Sequence, residues 1–385
     1  KNNWKYLGAA ALASYITNSA LTNYYAQQSV EPTENFNYHV TNPQYPIVYD
    51  PGYNVNVFGS LDKYINPFDG QKYGKIANQL IKSNSTNGFY KPITVNNQIL
   101  EKIHTKEYLA QCKTSWNIAY YILAAPLLSW IPNWILQRKI LQPMKRATGG
   151  TLKAIELITK DQNKWAINIG GGYHHAQSDS FSLPGGYCVF GDIQLACKKY
   201  LDHKKDGKIL IVDLDAHQGN GYAYDLETIK KEHNAGIIKI FDAYNTNDYP
   251  GYDDFKNQPL LDCVQKFFFT YIQKPNEAKN RKQITYNHPI NRKTTSDEYK
   301  NIVGNKLKNA IETFKPDLII YNAGTDIIEG DPEGKLNFTE QDTIERDTTV
   351  FKLAMKNNAK FIMVTSGGYT SKSAPIVTKS IQAII

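Results

Sequence analysis

Four short apolar runs in the second half of the chain are each followed directly by glycine and by residues that can ionise. One such segment alone would be a glycine turn with a capping carboxylate. Four together place paired histidines and repeated carboxylates at one edge of a sheet, where repulsion between like charges costs stability unless a cation or a reaction uses them. The segments are Gly170–His175 (GGGYHH), Asp213–Gly221 (DLDAHQGNG), Tyr321–Asp326 (YNAGTD) and Thr365–Tyr369 (TSGGY).

Asp215, His217 and Asp326 have the side chains of a nitrogen and oxygen metal site. Asp215 and His217 are two residues apart at a strand end and point to one side, and Asp326 brings a second carboxylate from another strand. Three protein ligands leave one position open for water or a substrate carbonyl, whereas structural zinc sites are closed by four ligands. The sequence therefore predicts a catalytic Zn²⁺ held by these three residues.

His174, His175 and Tyr369 are suited to the proton transfers of amide hydrolysis. One imidazole and two carboxylates acidify a metal-bound water less than three imidazoles would, so a separate base is useful. One histidine can take the proton from water, and either can protonate the leaving amine. The phenol of Tyr369 can donate to a developing oxyanion, and Gly367 and Gly368 let the backbone approach closely.

The elements that must position these residues follow from the same apolar runs. Short, wholly apolar strands that alternate with helices imply a parallel sheet buried on both faces, with ligands bound beyond the carboxyl ends of the strands. We therefore expect one α/β domain with a mostly parallel central sheet and helices on both faces. The predicted strands are Trp165–Ile169, Ile209–Asp213, Ile237–Phe241, Leu318–Tyr321 and Phe361–Thr365; the predicted helices are Thr151–Lys160, Asp192–His203, Gly221–Lys231, Asp297–Phe314 and Gln341–Asn357.

Composition excludes several other classes of protein. The 385 residues are 41% hydrophobic and 21% charged, which excludes a disordered chain, and the formal charge of +8 includes no run of Lys and Arg that marks nucleic-acid binding. Four scattered cysteines predict no disulfide framework. The GxxxxGK[ST] and HExxH motifs are absent, so neither nucleotide chemistry nor thermolysin-like proteolysis is expected.

Two apolar segments could be mistaken for membrane elements. The uncharged stretch between Lys113 and Arg138 is long enough to span a bilayer, but Pro126 and Pro132 interrupt it, so we expect a buried, broken helix-loop segment. Residues 1–30 have the outline of a weak secretory signal, and an amphipathic N-terminal extension is the alternative. We expect an intracellular protein, cytoplasmic or nuclear, although the N-terminus leaves secretion open.

The strings GGGYHH, DLDAHQGNG, NAGTDIIEGD and TSGGY, in this order and at these spacings, resemble the zinc-dependent histone deacetylase family on the arginase-like α/β fold. Among its branches, the resemblance is to class IV. Residues 46–385 carry it as one catalytic domain, and residues 1–45 are expected to be an N-terminal extension. Further similar segments are Tyr45–Tyr49, Pro67–Asp69, Gly74–Lys75, Leu136–Lys139, Thr148–Thr151 and Arg346–Asp347.

The resemblance implies roles that agree with the chemistry of the residues. The matching positions are Asp215, His217 and Asp326 for Zn²⁺, His174 and His175 for the acid–base pair, and Tyr369 for polarising the substrate carbonyl. Tyr187 matches one aromatic wall of an acyl-lysine channel and Tyr249 the opposite wall; Gly172, Gly367 and Gly368 complete the expected substrate-binding set. Each methylene of a lysine stem buried in such a channel gains about 0.8 kcal/mol.

Two further residues are expected to orient the histidines. Asp213 matches the carboxylate that orients His174 and helps to build a nearby site for a monovalent cation such as K⁺. Where most branches have a second orienting Asp, this chain has Asn220, as class IV members do. An amide stabilises an imidazolium less than a carboxylate does, so we predict that His175 is neutral at pH 7 and acts as the base.

The expected function is removal of acetyl or longer acyl groups from the ε-amine of lysine in proteins, with histone tails as the first substrate. A small-molecule amidohydrolase, of the acetylpolyamine or ureohydrolase type, and a catalytically silent acyl-lysine binding protein remain alternatives. The loops Ala176–Gly185 and Phe267–Ser296 are longer than expected for class IV and leave substrate preference open.

The charge of the chain bears on its partners. A basic enzyme gains no general attraction to basic tails, so the basic stretch Lys274–Arg292 is expected to face nucleosomal DNA or another acidic partner. Neither sequence-specific nucleic-acid binding nor a membrane span is expected.

Overall fold

The centre of the molecule is a sheet of seven parallel strands in the order β1-β2-β7-β6-β3-β4-β5. The computed structural model describes residues 3–27, 39–56, 69–122, 126–161, 163–179, 186–233, 237–247 and 282–385. The strands are β1 Ile47–Val48, β2 Trp165–Asn168, β3 Ile209–Asp213, β4 Ile238–Asn245, β5 Tyr286–Ile290, β6 Leu318–Asn322 and β7 Lys360–Val364. The prediction of an α/β fold with a parallel central sheet is confirmed.

Thirteen α-helices and five shorter helical turns surround the sheet in the described ranges. The α-helices are α1 Asn3–Gln27, α2 Lys72–Lys82, α3 Asn97–Leu100, α4 Lys106–Gln111, α5 Ser115–Asn117, α6 Asn133–Leu136, α7 Gln142–Thr159, α8 Asp192–His203, α9 Asn220–His233, α10 Ser296–Asn301, α11 Leu307–Phe314, α12 Glu340–Lys356 and α13 Ser373–Ile384. Three π-helical turns, Ile118–Ile122, Gln137–Leu141 and Ile302–Lys306, and two 3₁₀ turns, Pro51–Tyr53 and Pro126–Trp130, complete the set.

Both faces of the sheet are buried, as the wholly apolar strands require. In β3, Leu210 and Val212 belong to one hydrophobic cluster, and Ile209 and Ile211 belong to the cluster on the other face. Each of these side chains is at most 2% exposed, so each contributes roughly 1.5–3 kcal/mol of hydrophobic stabilisation. Such double burial leaves polar residues no place along the strands and confines them to the strand ends.

Most predicted elements are present, with differences that have local causes. Helix α8 matches its predicted limits, whereas β4 continues through polar residues to Asn245, beyond the predicted end at Phe241. The predicted helix Asp297–Phe314 is two α-helices joined by a π-helical turn. Strands β1 and β5 were not predicted, because β1 has two residues and β5 is an edge strand that includes a proline, where ladder donors are dispensable.

The two segments with apolar character are helical and lie against each other. Helix α1 packs on α6 and on the π-helical turn Gln137–Leu141. The segment between Lys113 and Arg138 is broken at its prolines as predicted, but the expectation of burial is wrong for Trp130, whose side chain is 89% exposed. Among the described helices, none is long and apolar enough to cross a membrane.

Candidate active site

The polar segments that follow β2, β3, β6 and β7 meet at the carboxyl edge of the sheet. These four strands lie next to one another in the order β2-β7-β6-β3, so their carboxyl ends are adjacent. Backbone bonds join the segments: the Ala323 amide donates to the Val364 carbonyl, and the Gly221 amide donates to the His174 carbonyl. Residues separated by more than 150 positions in the chain therefore share one site.

Asp215, His217 and Asp326 form a buried cluster in which one ligand atom from each residue lies within 4.8 Å of the others. His217 Nδ1 lies 3.2 Å from Asp215 Oδ1 and 3.0 Å from Asp326 Oδ2. Its Nε2 lies 3.3 Å from the Glu333 carbonyl oxygen, so Nε2–H can donate outward and leave the Nδ1 lone pair facing the carboxylates. The structure thus brings together the three residues that the sequence predicted as metal ligands.

The cluster fits a divalent cation. Burial and the neighbouring Asp215 carboxylate raise the pKa of Asp326 to about 7, because two buried carboxylates repel each other. Two hydrogen bonds also fix the Asp215 carboxylate, since Ser366 Oγ and the Gly367 amide each donate to its Oδ2 at 3.0 Å. An imidazole nitrogen and two carboxylates are a donor set that Zn²⁺ accepts.

His174 and His175 lie side by side with ring centroids 4.0 Å apart, yet they have different partners. His174 Nδ1 lies 2.9 Å from Asp213 Oδ2, and His175 Nδ1 lies 2.7 Å from Asn220 Oδ1. Burial lowers the pKa of His174, but the carboxylates of Asp213 and Asp215 outweigh it and raise this pKa to about 9. Burial and the charge of His174 lower the pKa of His175 well below its usual value. The two imidazoles therefore differ in charge at pH 7.

Asp213 is held by neighbours that the sequence did not mark. Its Oδ2 accepts from the Tyr222 hydroxyl at 2.8 Å, and its Oδ1 accepts from Asn322 Nδ2 at 3.0 Å. Asn322 is the last residue of β6 and belongs to the segment Tyr321–Asp326 that was singled out, but its amide had no predicted role. Together these bonds fix the carboxylate that orients His174.

Tyr369 lies beside the metal-ligand cluster. Its ring centroid is 6.4 Å from that of His217, and its amide donates to Asp331 Oδ2 at 2.8 Å. Burial and the carboxylates of Asp326 and Asp215 raise the pKa of its phenol well above 10, so the hydroxyl stays protonated. A protonated phenol at this place can donate to an oxyanion.

Position 367 requires glycine because the carboxylates of Asp215 and Asp326 approach its α-carbon closely. A Cβ atom at this position would lie 2.5 Å from Asp326 Oδ2 and 2.6 Å from Asp215 Oδ2. Any other residue would displace the two carboxylates. The sequence signal was the pair of glycines before Tyr369, and the reason is space for the carboxylates rather than turn geometry.

A largely apolar cavity opens beside the site, and most of the predicted substrate residues that are described line it. Gly172, Tyr187 and Gly367 are in its wall, and Gly368 is next to it against Thr325. The full lining is Tyr53, Val55, Tyr73, Ile140, Met144, Gly171, Gly172, Tyr173, His174, Gly186, Tyr187, Cys188, Ser366, Gly367 and Tyr369. Tyr249 lies outside the described residues.

Two charged residues that support the site were missed by sequence reasoning. Lys72 is buried, and its Nζ donates to the carbonyls of Ser366 at 2.6 Å and Gly367 at 3.0 Å. Asp192 accepts from the amides of Gly172 and Tyr173, just before the histidine pair. A lysine in an amphipathic helix normally points to solvent, and an acidic residue at a helix start normally caps the helix. Neither residue therefore indicated a role at the site from sequence alone.

Fold and site together define an α/β protein that places a histidine pair and an Asp-His-Asp cluster at the carboxyl edge of a parallel sheet. A profile of the histone deacetylase domain matches residues 66–385. This chain therefore belongs to the histone deacetylase family and is a hydrolase of that type.

Individual relatives agree with this assignment. The chain is 33% identical to "Histone deacetylase 2" of Arabidopsis thaliana over 338 residues, which covers 87% of this chain and 77% of that protein. It is 22% identical to "Histone deacetylase 1" of Homo sapiens over 286 residues, or 74% of this chain and 53% of that protein. The crystal structure of the HDA15 HD domain superposes with a TM-score of 0.60 at 18% identity, covering 88% and 86% of the two chains, and supports the fold.

Proposed function

We propose that this chain is a zinc-dependent lysine deacylase that acts on proteins, with acyl-lysine in histone tails as the first substrate. The observation that carries the proposal is that the rings of His175 and Tyr369 both lie beside the Asp215–His217–Asp326 cluster, with centroids 6.1 Å and 6.4 Å from that of His217. Amide hydrolysis needs a base for water and a donor for the oxyanion.

Asp215, His217 and Asp326 would hold the zinc ion, which when bound supplies a Lewis acid for the amide carbonyl and for water. An amide oxygen only accepts, so His175 donates from Nδ1 to the Asn220 carbonyl oxygen, and Nε2 is then the unprotonated nitrogen that can take the proton of water. The Tyr369 hydroxyl donates to the carbonyl oxygen as negative charge develops there. His174, charged beside Asp213, stabilises that negative charge, and a histidine of the pair returns the proton to the leaving amine.

The apolar lining of the cavity supports our proposal that acyl groups longer than acetyl are also substrates. Tyr53, Tyr73, Ile140 and Met144 are part of its wall. Each methylene buried there contributes about 0.8 kcal/mol to binding. We also propose that the chain is a class IV member, because the amide of Asn220 takes the place of a second orienting carboxylate. A preference for fatty acyl over acetyl groups is consistent with that class. Tyr187 and Tyr249 remain our proposal for the two channel walls.

A monovalent cation such as K⁺ is proposed next to Asp213. The neighbouring Asp242 is buried, and its Oδ1 has no hydrogen-bond partner among the described residues. Burial and the charge of Asp213 raise the pKa of Asp242 well above its usual value. A bound cation would stabilise this pair, because it would compensate the charge of two buried carboxylates and contact the carboxylate oxygen that has no hydrogen-bond partner.

The proposed catalytic unit is residues 46–385, because β1 begins at Ile47 and joins the sheet through β2. Residues 1–45 are proposed as an extension that is docked on it through α1. The acidic partner proposed for Lys274–Arg292 concerns a stretch of which only residues 282–292 are described.

The decisive experiment measures turnover of acetyl-, decanoyl- and myristoyl-lysine peptides, with N-acetylputrescine as the small-molecule comparison, before and after zinc chelation. Turnover of the peptides that chelation abolishes and zinc restores is the expected result. Turnover of the polyamine alone would favour the amidohydrolase, and two bound metals per chain would favour a ureohydrolase. Peptide binding without turnover by the zinc-loaded protein would indicate an acyl-lysine binding protein.

A further inference from the structure

Arg346 of α12 is a buried cation that takes no part in the proposed proton transfers. Its side chain is 1% exposed, and Arg346–Asp347 is among the segments that are similar to the family. Arginine is almost never fully buried unless it is paired, because removing its charge from water is costly. The partners of Arg346 therefore indicate what the buried side chain does.

The next residue, Asp347, compensates the charge of Arg346. Arg346 Nε donates to Asp347 Oδ1 at 2.8 Å, and Arg346 Nη2 lies 2.8 Å from the same oxygen. The hydroxyl of Tyr321 in β6 also donates to this oxygen. Because the guanidinium and the carboxylate together carry no net charge, the pair acts on its surroundings through the directions of its hydrogen bonds.

The guanidinium of Arg346 joins the two chain segments that contain the carboxylates of the metal-ligand cluster. Its Nη1 donates to the Leu214 carbonyl at 2.8 Å and to the Gly324 carbonyl at 2.7 Å. Leu214 directly precedes Asp215, and Gly324 is two residues before Asp326. The two segments follow β3 and β6, whereas the arginine belongs to α12. One nitrogen atom from a third element thus links both segments.

These two segments need a link because their carboxylates repel each other. Burial and the charge of Asp215 raise the pKa of Asp326 to about 7. The Ala216 amide donates to Asp326 Oδ1 at 3.0 Å and connects the segments at the cluster itself. Arg346 connects them from the core, at the peptides that precede the two ligands. A cation then binds without the entropic cost of ordering both segments.

We propose that Arg346 is a positioning residue that sets the spacing of the zinc ligands Asp215 and Asp326. This inference rests on the proposed zinc site. A guanidinium suits the task because its donors are fixed in a planar fork, which can face Asp347 on one edge and two carbonyls on another. The ammonium of a lysine has three donors at a single point and cannot reach both edges. Contacts that orient metal ligands typically change metal affinity by about 10- to 100-fold.

The test measures the zinc dissociation constant of the full chain by competition with a chromophoric chelator, in the parent and in Arg346→Met with Asp347→Asn. The double variant removes both buried charges, so neither is left uncompensated, and the new amide oxygen still accepts from Tyr321. Zinc affinity should fall by about tenfold or more. An unchanged dissociation constant would overturn the proposal, and a parent that bound no zinc would overturn the proposed function together with it.

Two further variants separate positioning from stability. Arg346→Lys keeps a charge beside Asp347 but loses the planar fork, so it should fold and also bind zinc more weakly; unchanged affinity would overturn the proposal. Leu201→Ala in α8 is the control, because Leu201 is fully buried in the hydrophobic cluster on the opposite face of the sheet from α12. It should lower the midpoint of urea unfolding and keep the parent's zinc affinity. An equal loss of zinc affinity in the control would show that Arg346 acts through stability alone.

Discussion

Burial lowers the pKa of both adjacent histidines, but the carboxylates of Asp213 and Asp215 raise that of His174, whereas the charge of His174 lowers that of His175 further. A carboxylate, Asp213, faces His174, and an amide, Asn220, faces His175. A carboxylate stabilises an imidazolium, whereas an amide oxygen only orients the ring. The Nδ1 partners thus add to the difference between the two rings, and we expect His175 to act as the base at pH 7.

Replacing Asn220 by Asp tests this division of labour. The new carboxylate should raise the pKa of His175, and because the neutral base exists only above that pKa, the acidic limb of the kcat/KM profile should move to higher pH. A pH–rate series on an acyl-lysine peptide measures the shift, with the exposed Asn305→Asp as control. An acidic limb that does not move would show that His175 is not the base.

Replacing Tyr369 by Phe removes the phenol while keeping the ring. Loss of one oxyanion donor typically reduces kcat by about 100-fold or more, and peptide affinity should change little. Steady-state turnover assays measure kcat, and fluorescence polarisation measures peptide affinity. Tyr286→Phe on the edge strand β5 is the control. Full activity in Tyr369→Phe would remove this residue from the mechanism.

At the scale of elements, α8 positions the histidine pair as well as covering the sheet. Its first residue, Asp192, accepts from the Gly172 amide at 2.9 Å, from the Tyr173 amide at 2.8 Å and from Thr151 Oγ1 at 2.6 Å. The loop that carries His174 is therefore held by a buried carboxylate from a helix that begins 20 residues later. A similar link runs from α2, where Lys72 holds the carbonyls before Tyr369.

Asp192→Asn should destabilise the protein by roughly 1–3 kcal/mol, because an amide has one oxygen acceptor and leaves a buried donor unpaired. Urea unfolding measures the change, and kcat should fall as well because the histidine loop loses a support. Asp202→Asn in the last turn of the same helix, where the side chain is 57% exposed, is the matched control. Equal stability of the two variants would contradict this role for α8.

At the scale of the whole molecule, the metal-ligand cluster joins segments from β3 and β6 in the middle of the sheet. Binding of a cation to the folded state alone should stabilise the entire domain, by about 2.7 kcal/mol when the free ion is at a hundred times its Kd. Zinc added to chelator-treated protein should therefore raise the melting temperature in differential scanning fluorimetry.

Asp326→Asn should lose most of that zinc-dependent increase, because it removes a ligand and a charge. Asp206→Asn, in an exposed turn before β3, should keep it. A melting temperature that rises equally with zinc in all three proteins would mean that the ion binds elsewhere.

The sequence by itself determined most strands and helices in the second half of the chain, except β5 and α13, and the residue types of the site. Apolar runs that are buried on both faces leave ionisable residues only at strand ends, so Asp215, His217, His174 and Tyr369 could be found without coordinates. Sequence order also predicted that these ends lie at one edge of a parallel sheet.

Only the tertiary structure decided which distant groups support that site and which apolar groups remain exposed. Lys72 and Asp192 act through contacts with residues 294 and 20 positions away, and local sequence patterns carry no signal for such pairs. Likewise, a large apolar side chain such as Trp130 is expected in a core, and the structure leaves it 89% exposed. Periodicity reports which residues can be buried together, whereas burial itself is settled by the packing of segments far apart in the chain.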